Sequence, residues 1–225
     1  GNVYAANGQY DAAIDDFSEA VRLKPDYAAA FHNRATARVD AGHLAQAVED
    51  YTEALRLTPE DVDPLNGRAA VLSRLKRYDE AYADYESALK LEPESFRIYF
   101  NRGNARATEG CHEDAVEDFS EAIRNNPRYT KAYLYRALSY EELGKNEEAL
   151  DDFATVLRLQ PGSPDAFWHR GRLWSQAGES DKAIADYSWV IRLDPDNGAA
   201  FNLRGVSHAE RGEHEQARCD FAEAV

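Results

Sequence analysis

Six arginines follow one another at steps of 34 residues: Arg34, Arg68, Arg102, Arg136, Arg170 and Arg204. Aspartate keeps the same step at Asp16, Asp50, Asp84, Asp118, Asp152, Asp186 and Asp220, and alanine keeps it from Ala13 to Ala217. A period held without an insertion leaves one class of architecture, a supersecondary unit copied along the chain and stacked on its neighbours. Function is then expected on a surface shared by several units rather than in one compact pocket.

One copy, Ala28 to Asp61, shows the unit. Phe31, Ala35 and Arg38 space out along a first helix. Gly42 ends it, because glycine enters the left-handed turn that closes a helix. Ala47, Val48, Tyr51, Ala54 and Leu55 form an apolar stripe at helical spacing on a second helix, and Pro59 stops it. Asp61, Ser95, Ser163 and Asn197 stand where the next first helix needs a cap, and Pro164 follows Ser163 at a first-turn position that tolerates proline. The spacing predicts a hairpin of two helices of about 14 residues each. The fold class is all-α, an α-solenoid of antiparallel helical hairpins. It is read as one array over residues 1–225, with full units 28–61, 62–95, 96–129, 130–163 and 164–197 and partial units 1–27 and 198–225.

Within a unit numbered 1 to 34, position 8 is small throughout, as in Ala35, Gly103 and Gly171, and position 20 is always alanine. Position 24 is always aromatic, from Phe17 to Phe221, and position 32 is proline from Pro25 to Pro195. These columns resemble the tetratricopeptide repeat over the whole chain. Two columns depart from that family's pattern. Position 7 is arginine where leucine is expected, and position 15 is glycine except at Lys76, where the turn is expected to be strained or differently shaped. The resemblance implies a right-handed superhelix with first helices on the concave face.

Position 7 lies on the first helix and position 23 on the second, so Arg34–Asp50, Arg68–Asp84, Arg102–Asp118, Arg136–Asp152, Arg170–Asp186 and Arg204–Asp220 are expected to meet as partly buried, bidentate pairs. Such a ladder could present arginines to a ligand or fix hairpin geometry. The recurrence of each arginine with an aspartate of its own unit favours the structural role, as a buried charge must be paired.

By the same resemblance, side chains at positions 2, 5, 6, 9, 12 and 13 face the groove. They carry four basic residues (Arg74, Arg97, Lys131, Arg172) and six acidic ones (Asp40, Asp63, Glu141, Glu142, Asp165, Glu210), a far milder balance than the net charge of -15 for the chain. Arg74, Arg97, Asn101, Asn104 and Lys131 fall beside Phe100, Leu134, Tyr135, Leu138 and Trp168. Aromatic area beside basic and amide groups suits a peptide, and Phe100, Tyr135 and Trp168 are the expected anchors. Packing between neighbouring first helices would use the same aromatics, so both readings stand. The two-carboxylate clamp of some family members is not matched: Asn101 and Lys131 fit its pattern, whereas Asn66, Ala70 and Tyr135 break it.

A charge of -15 disfavours nucleic acid and anionic membranes, which attract basic surfaces. No apolar run is long enough to insert in a bilayer. Cys111 and Cys219 fall at different repeat positions, so no disulfide is expected and a reducing, cytoplasmic setting fits. His43, His112 and His214 are read as exposed turn residues, and His32 and His169 as facing the groove. No histidine pair, CxxC or phosphate loop occurs, so no metal, cofactor or catalytic activity is expected. Arg38, Arg106 and His208, at position 11, are expected to be locally paired.

The leading functional reading is an interaction scaffold binding a partner peptide. Its rivals are a regulatory arm of a larger enzyme and a self-assembling scaffold. The chain opens inside a repeat and has no methionine, so the natural protein is expected to extend further. Val3, Tyr4, Val190 and Val225 are expected as open apolar edges through which head-to-tail association could occur.

Overall fold

The computed structural model describes residues 1–224, in fourteen helices with no strand among the described residues. The chain divides into two compact units, Gly1–Asn125 and Asn126–Val225.

The first unit holds α1 (Asn2–Ala6), α2 (Tyr10–Leu23), α3 (Ala28–Asp40) and α4 (Leu44–Leu57), followed by α5 (Val62–Arg74), α6 (Tyr78–Leu91), α7 (Phe96–Glu109) and α8 (His112–Asn125). Hairpin partners α3/α4, α5/α6 and α7/α8 pack together, and each second helix also meets the first helix of the next hairpin, as α2/α3, α4/α5 and α6/α7 do. The second unit holds α9 (Thr130–Glu142), α10 (Asn146–Leu159), α11 (Pro164–Gln176), α12 (Ser180–Leu193), α13 (Gly198–Glu210) and α14 (His214–Glu223). It repeats the scheme, with hairpins α9/α10, α11/α12 and α13/α14 joined through α10/α11 and α12/α13. The fold class is all-α, built of antiparallel helical hairpins in solenoid order.

The second helices carry the core. Ala47, Ala81, Ala115, Ala149 and Ala183 are fully buried, and four residues on, Tyr51, Tyr85, Phe119, Phe153 and Tyr187 fill the space between the hairpin's helices. Position 8 is small because these rings press on the first-helix backbone. A Cβ on Gly103 would lie 2.9 Å from Phe119 Cε1, and one on Gly171 would lie 3.0 Å from Tyr187 Cε1. Emptying such a site by Phe119→Ala would cost about 3–5 kcal/mol.

The turn inside each hairpin uses a left-handed residue. Gly42 has φ +83°, Gly110 +96° and Gly178 +74°. Lys76 keeps the same turn and adopts φ +60°, the one non-glycine residue with positive φ among those described. The turn is therefore not reshaped; the lysine takes on the conformation that costs an L-residue about 1–2 kcal/mol.

At the caps, the Asp61 side chain accepts from Asp63 N at 3.2 Å and Asn197 Oδ1 accepts from Ala200 N at 3.0 Å. Ser95 and Ser163 occupy the cap position with extended backbone but make no side-chain cap bond.

Three expectations are corrected. His112 and His214 are the first residues of α8 and α14 rather than turn residues, and His112 is half-buried. Val190 is 2% exposed, not an open edge, because it follows Ala183 and Tyr187 at seven and three residues and shares their inward stripe. Val225 lies outside the described residues. Val3 and Tyr4 are exposed. Cys111 and Cys219 are free and exposed. No described helix is long and apolar enough to cross a membrane.

Candidate functional site

Each ladder arginine meets the aspartate of its own hairpin. Arg34 Nε and Nη2 donate to Asp50 at 2.9 and 2.6 Å, Arg68 to Asp84 at 2.7 and 2.7 Å, and Arg102 to Asp118 at 2.9 and 2.6 Å. In the second unit Arg136 donates to Asp152 at 2.7 and 2.8 Å, Arg170 to Asp186 at 2.8 and 2.7 Å, and Arg204 to Asp220 at 2.9 and 2.6 Å. These are two-point forks of the charge-assisted kind, and all six carboxylates are buried. The guanidinium faces are used as well. Arg34 lies over Phe31 at 5.5 Å, Arg102 over Tyr99 at 5.7 Å and Arg170 over Phe167 at 5.9 Å. Burial pushes the Asp152 carboxyl above its ordinary value, outweighing the opposing effect of Arg136.

Position 11 joins the ladder. Arg38 Nη1 donates to Asp50 at 2.7 Å and Arg106 Nη1 to Asp118 at 2.9 Å. His208 has Nδ1 2.5 Å from Glu213 and Nε2 3.8 Å from Asp220.

The arginines also reach back one hairpin. Arg34 Nη1 donates to Ser18 Oγ at 3.1 Å, Arg68 Nη1 to Thr52 Oγ1 at 3.0 Å, and Arg204 Nη1 to Ser188 Oγ at 3.1 Å. Sequence reading missed this link. Its signal is a hydroxyl residue sixteen positions before the arginine.

In the first unit, Arg74, Asn101 and Asn104 come together. With Ala70, Ser73 and Thr108 they line a cleft of about 150 Å³ that also touches buried Tyr85. Asn101 Nδ2 donates to Asn66 Oδ1 at 3.0 Å, tying α7 to α5. Arg74 and Asn104 are exposed, Arg74 makes no ion pair among the described residues, and no carboxylate lines the cleft. Burial holds the Tyr85 hydroxyl well above its ordinary value. Arg97 is exposed in the first turn of α7 and Phe100 sits with its ring 5.8 Å from Phe119, and neither lines this cleft.

In the second unit, Lys131 is exposed in the first turn of α9 and Tyr135 is half-buried on the same helix. Trp168 is half-buried on α11, edge-on to Tyr187 at 6.1 Å. With Pro164, Asp165, His169, Val190, Asn197 and Ala199 it lines a cleft of about 450 Å³. His169 Nδ1 is 2.8 Å from Glu141 Oε2 and its ring stacks on Phe153. In the first unit His32 packs edge-on against Tyr51, and its Nδ1 is buried without a hydrogen-bond partner among the described residues. Among the described residues no group of three His, Cys, Asp or Glu side chains is placed to hold a metal ion.

Tetratricopeptide repeat profiles match residues 101–164, 134–188 and 170–225, and separately 28–61. The chain belongs to the tetratricopeptide repeat family. A further TPR repeat profile matches residues 1–42 and 74–110 of the array. The array resembles a tetratricopeptide repeat protein from Parabacteroides merdae, at 24% identity and a TM-score of 0.72, with 99% of this chain and 88% of that one covered. It resembles Pseudomonas aeruginosa PilF at 19% identity and a TM-score of 0.73, covering 94% and 90%. YrrB, described as a TPR protein with an unusual peptide-binding site, matches at 24% identity and a TM-score of 0.69, covering 79% and 92%. At these identities the likeness is one of fold. Comparison with curated proteins gave no match.

Proposed function

We propose that this tetratricopeptide array is a non-catalytic interaction scaffold that binds an extended peptide segment of a partner protein on the exposed faces of its first helices. One observation carries the reading: in a chain of net charge -15, the cleft between α5 and α7 is lined by Arg74, Asn101 and Asn104 and by no carboxylate. Carboxamides satisfy both the N–H and the C=O of a peptide bond, and the arginine selects an acidic side chain or terminus. Arg97 and Phe100 in the first unit, and Lys131, Tyr135 and Trp168 in the second, are assigned as further contacts of the same peptide-binding role. A preformed helical surface avoids ordering cost on the protein side, so affinity rests on a few well-placed anchors. The likeness to YrrB supports the assignment at the level of fold.

The test is a pulldown from the source cell extract with the wild-type chain and an Arg74→Glu, Asn104→Ala variant. A partner retained by the wild type and lost by the folded variant supports the reading. Identical captures by both would remove this cleft from it.

Self-association is a second reading, favoured by Val206 and Phe221, which are 38% and 39% exposed on the last hairpin although position-24 rings are otherwise buried. Sedimentation across a concentration series decides it: a mass that stays monomeric throughout excludes it.

A further inference from the structure

The cleft in the second unit has a chemistry of its own. Its floor is Val190, 2% exposed. Trp168 forms one wall, held by the edge contact with Tyr187. Asp165 stands three residues before Trp168 on α11, where two helical side chains are neighbours, and lines the same cleft. Asp165 is exposed and makes no ion pair or hydrogen bond among the described residues.

The remaining polar groups are committed. His169 faces Glu141 through Nδ1. Asn197 accepts from Ala200 N through Oδ1 and donates through Nδ2 to Asp194 Oδ2 at 3.1 Å. No lysine or arginine lines the cleft. At about 450 Å³ it falls within the size range of ligand pockets, roughly 300–1,000 Å³.

We propose that this cleft is a subsite for a cationic side chain, the lysine or arginine of a partner segment, held between the Trp168 indole and the Asp165 carboxylate. An indole face attracts a cation through its quadrupole, more strongly where water is partly excluded. An unneutralised carboxylate beside it adds a charge-assisted hydrogen bond and repels an acidic side chain. Lysine and arginine also carry an apolar stem that can lie along Val190 while the charged head meets Asp165. The first unit's cleft, with Arg74 and no carboxylate, has the opposite preference. The proposal rests on the scaffold reading only for the source of the side chain; the charge preference stands without a partner.

The experiment is an NMR titration of the whole chain with three small probes: the Nα-acetyl methylamides of lysine, arginine and glutamate. The Trp168 indole N–H is assigned as the signal missing from Trp168→Phe. The lysine and arginine probes should shift that signal and the backbone signals of Asp165 and Ala199, with millimolar affinity, while the glutamate probe leaves them in place. Asp165→Asn, a change at an exposed residue with no hydrogen bond or ion pair among the described residues, should weaken binding of the cationic probes about tenfold. The proposal is overturned if the glutamate probe shifts the same signals equally, if Asp165→Asn binds the cations unchanged, or if no probe reaches Trp168. A positive titration alongside identical pulldown captures would remove the first unit's cleft from the scaffold reading and leave the subsite standing.

Discussion

Arg34 holds Asp50 of its own hairpin through Nε and Nη2 and, through Nη1, the Ser18 hydroxyl of the hairpin before it. One side chain therefore closes a hairpin and fastens it to its neighbour. Arg170 has the first of these links but not the second, since the residue sixteen positions earlier is Ala154. Ala154→Ser should supply the missing acceptor and stabilise the chain by about 0.5–1.5 kcal/mol, the usual net worth of a hydrogen bond. Urea unfolding measures this, with Ser188→Ala expected to cost a similar amount. No gain in Ala154→Ser would show that the hydroxyls are passengers.

Asp118 accepts from both Arg102 and Arg106 and is 1% exposed. Asp118→Ala leaves two cations facing a void and should cost about 3–5 kcal/mol. Arg102→Ala with Asp118→Ala should lose less than the sum of the single changes, with a coupling of about 0.5–3 kcal/mol. Strict additivity in that cycle would mean that the pair contributes nothing as a pair.

Lys76 occupies a turn that suits glycine, at φ +60°. Lys76→Gly should raise stability by about 1 kcal/mol, the relief of left-handed strain less the added freedom of the unfolded chain. The reverse change at Gly42, whose φ is +83°, should cost about as much. Paired thermal melts of the two variants check both signs.

The Tyr187 hydroxyl is buried without a hydrogen-bond partner among the described residues, and burial pushes its pKa from 10.0 up to about 12. Between those values the folded chain holds a proton that the unfolded chain has released. The contribution of Tyr187 is therefore complete below pH 10 and disappears as pH rises towards about 12. Tyr187→Phe should be at least as stable as wild type at neutral pH and should open a growing advantage above pH 10. Tyr51→Phe, by contrast, gives up a bond to Thr36 Oγ1 at 3.2 Å and should cost about 0.5–1.5 kcal/mol at neutral pH. Denaturant melts from pH 7 to 11 read all three behaviours.

Period and turn chemistry made the hairpins legible: the glycine before every second helix but α6, the proline that follows each of them from α2 to α12 and the alanine–aromatic stripe all mark local backbone or packing requirements. The candidate surface was less legible, because a first-helix position says which face a side chain starts from but not what it meets. Phe100 and Trp168 share position 5 as aromatics and each meets the position-24 ring of its own hairpin, Phe119 or Tyr187, yet Trp168 walls a cleft while Phe100 stays out of the one between α5 and α7. Asn66 breaks the clamp pattern in the sequence, and in the structure it accepts from Asn101. Val190, expected as an open edge, is inside because its spacing from Tyr187 puts it on the inward stripe. Such differences depend on rotamers and on the neighbouring hairpin, which one repeat's sequence does not contain.

The link from Arg34 to Ser18 recurs from Arg68 to Thr52, with the same guanidinium nitrogen donating to a side-chain hydroxyl at nearly the same distance. The joints are thus interchangeable parts. Excising residues 28–61 would bring Arg68 to Ser18, and the shortened chain would meet the same fastening it had before. Where two couplings share one gauge, the hairpin between them can be lost or duplicated without redesigning the seam, so the array's length can change while those joints stay the same.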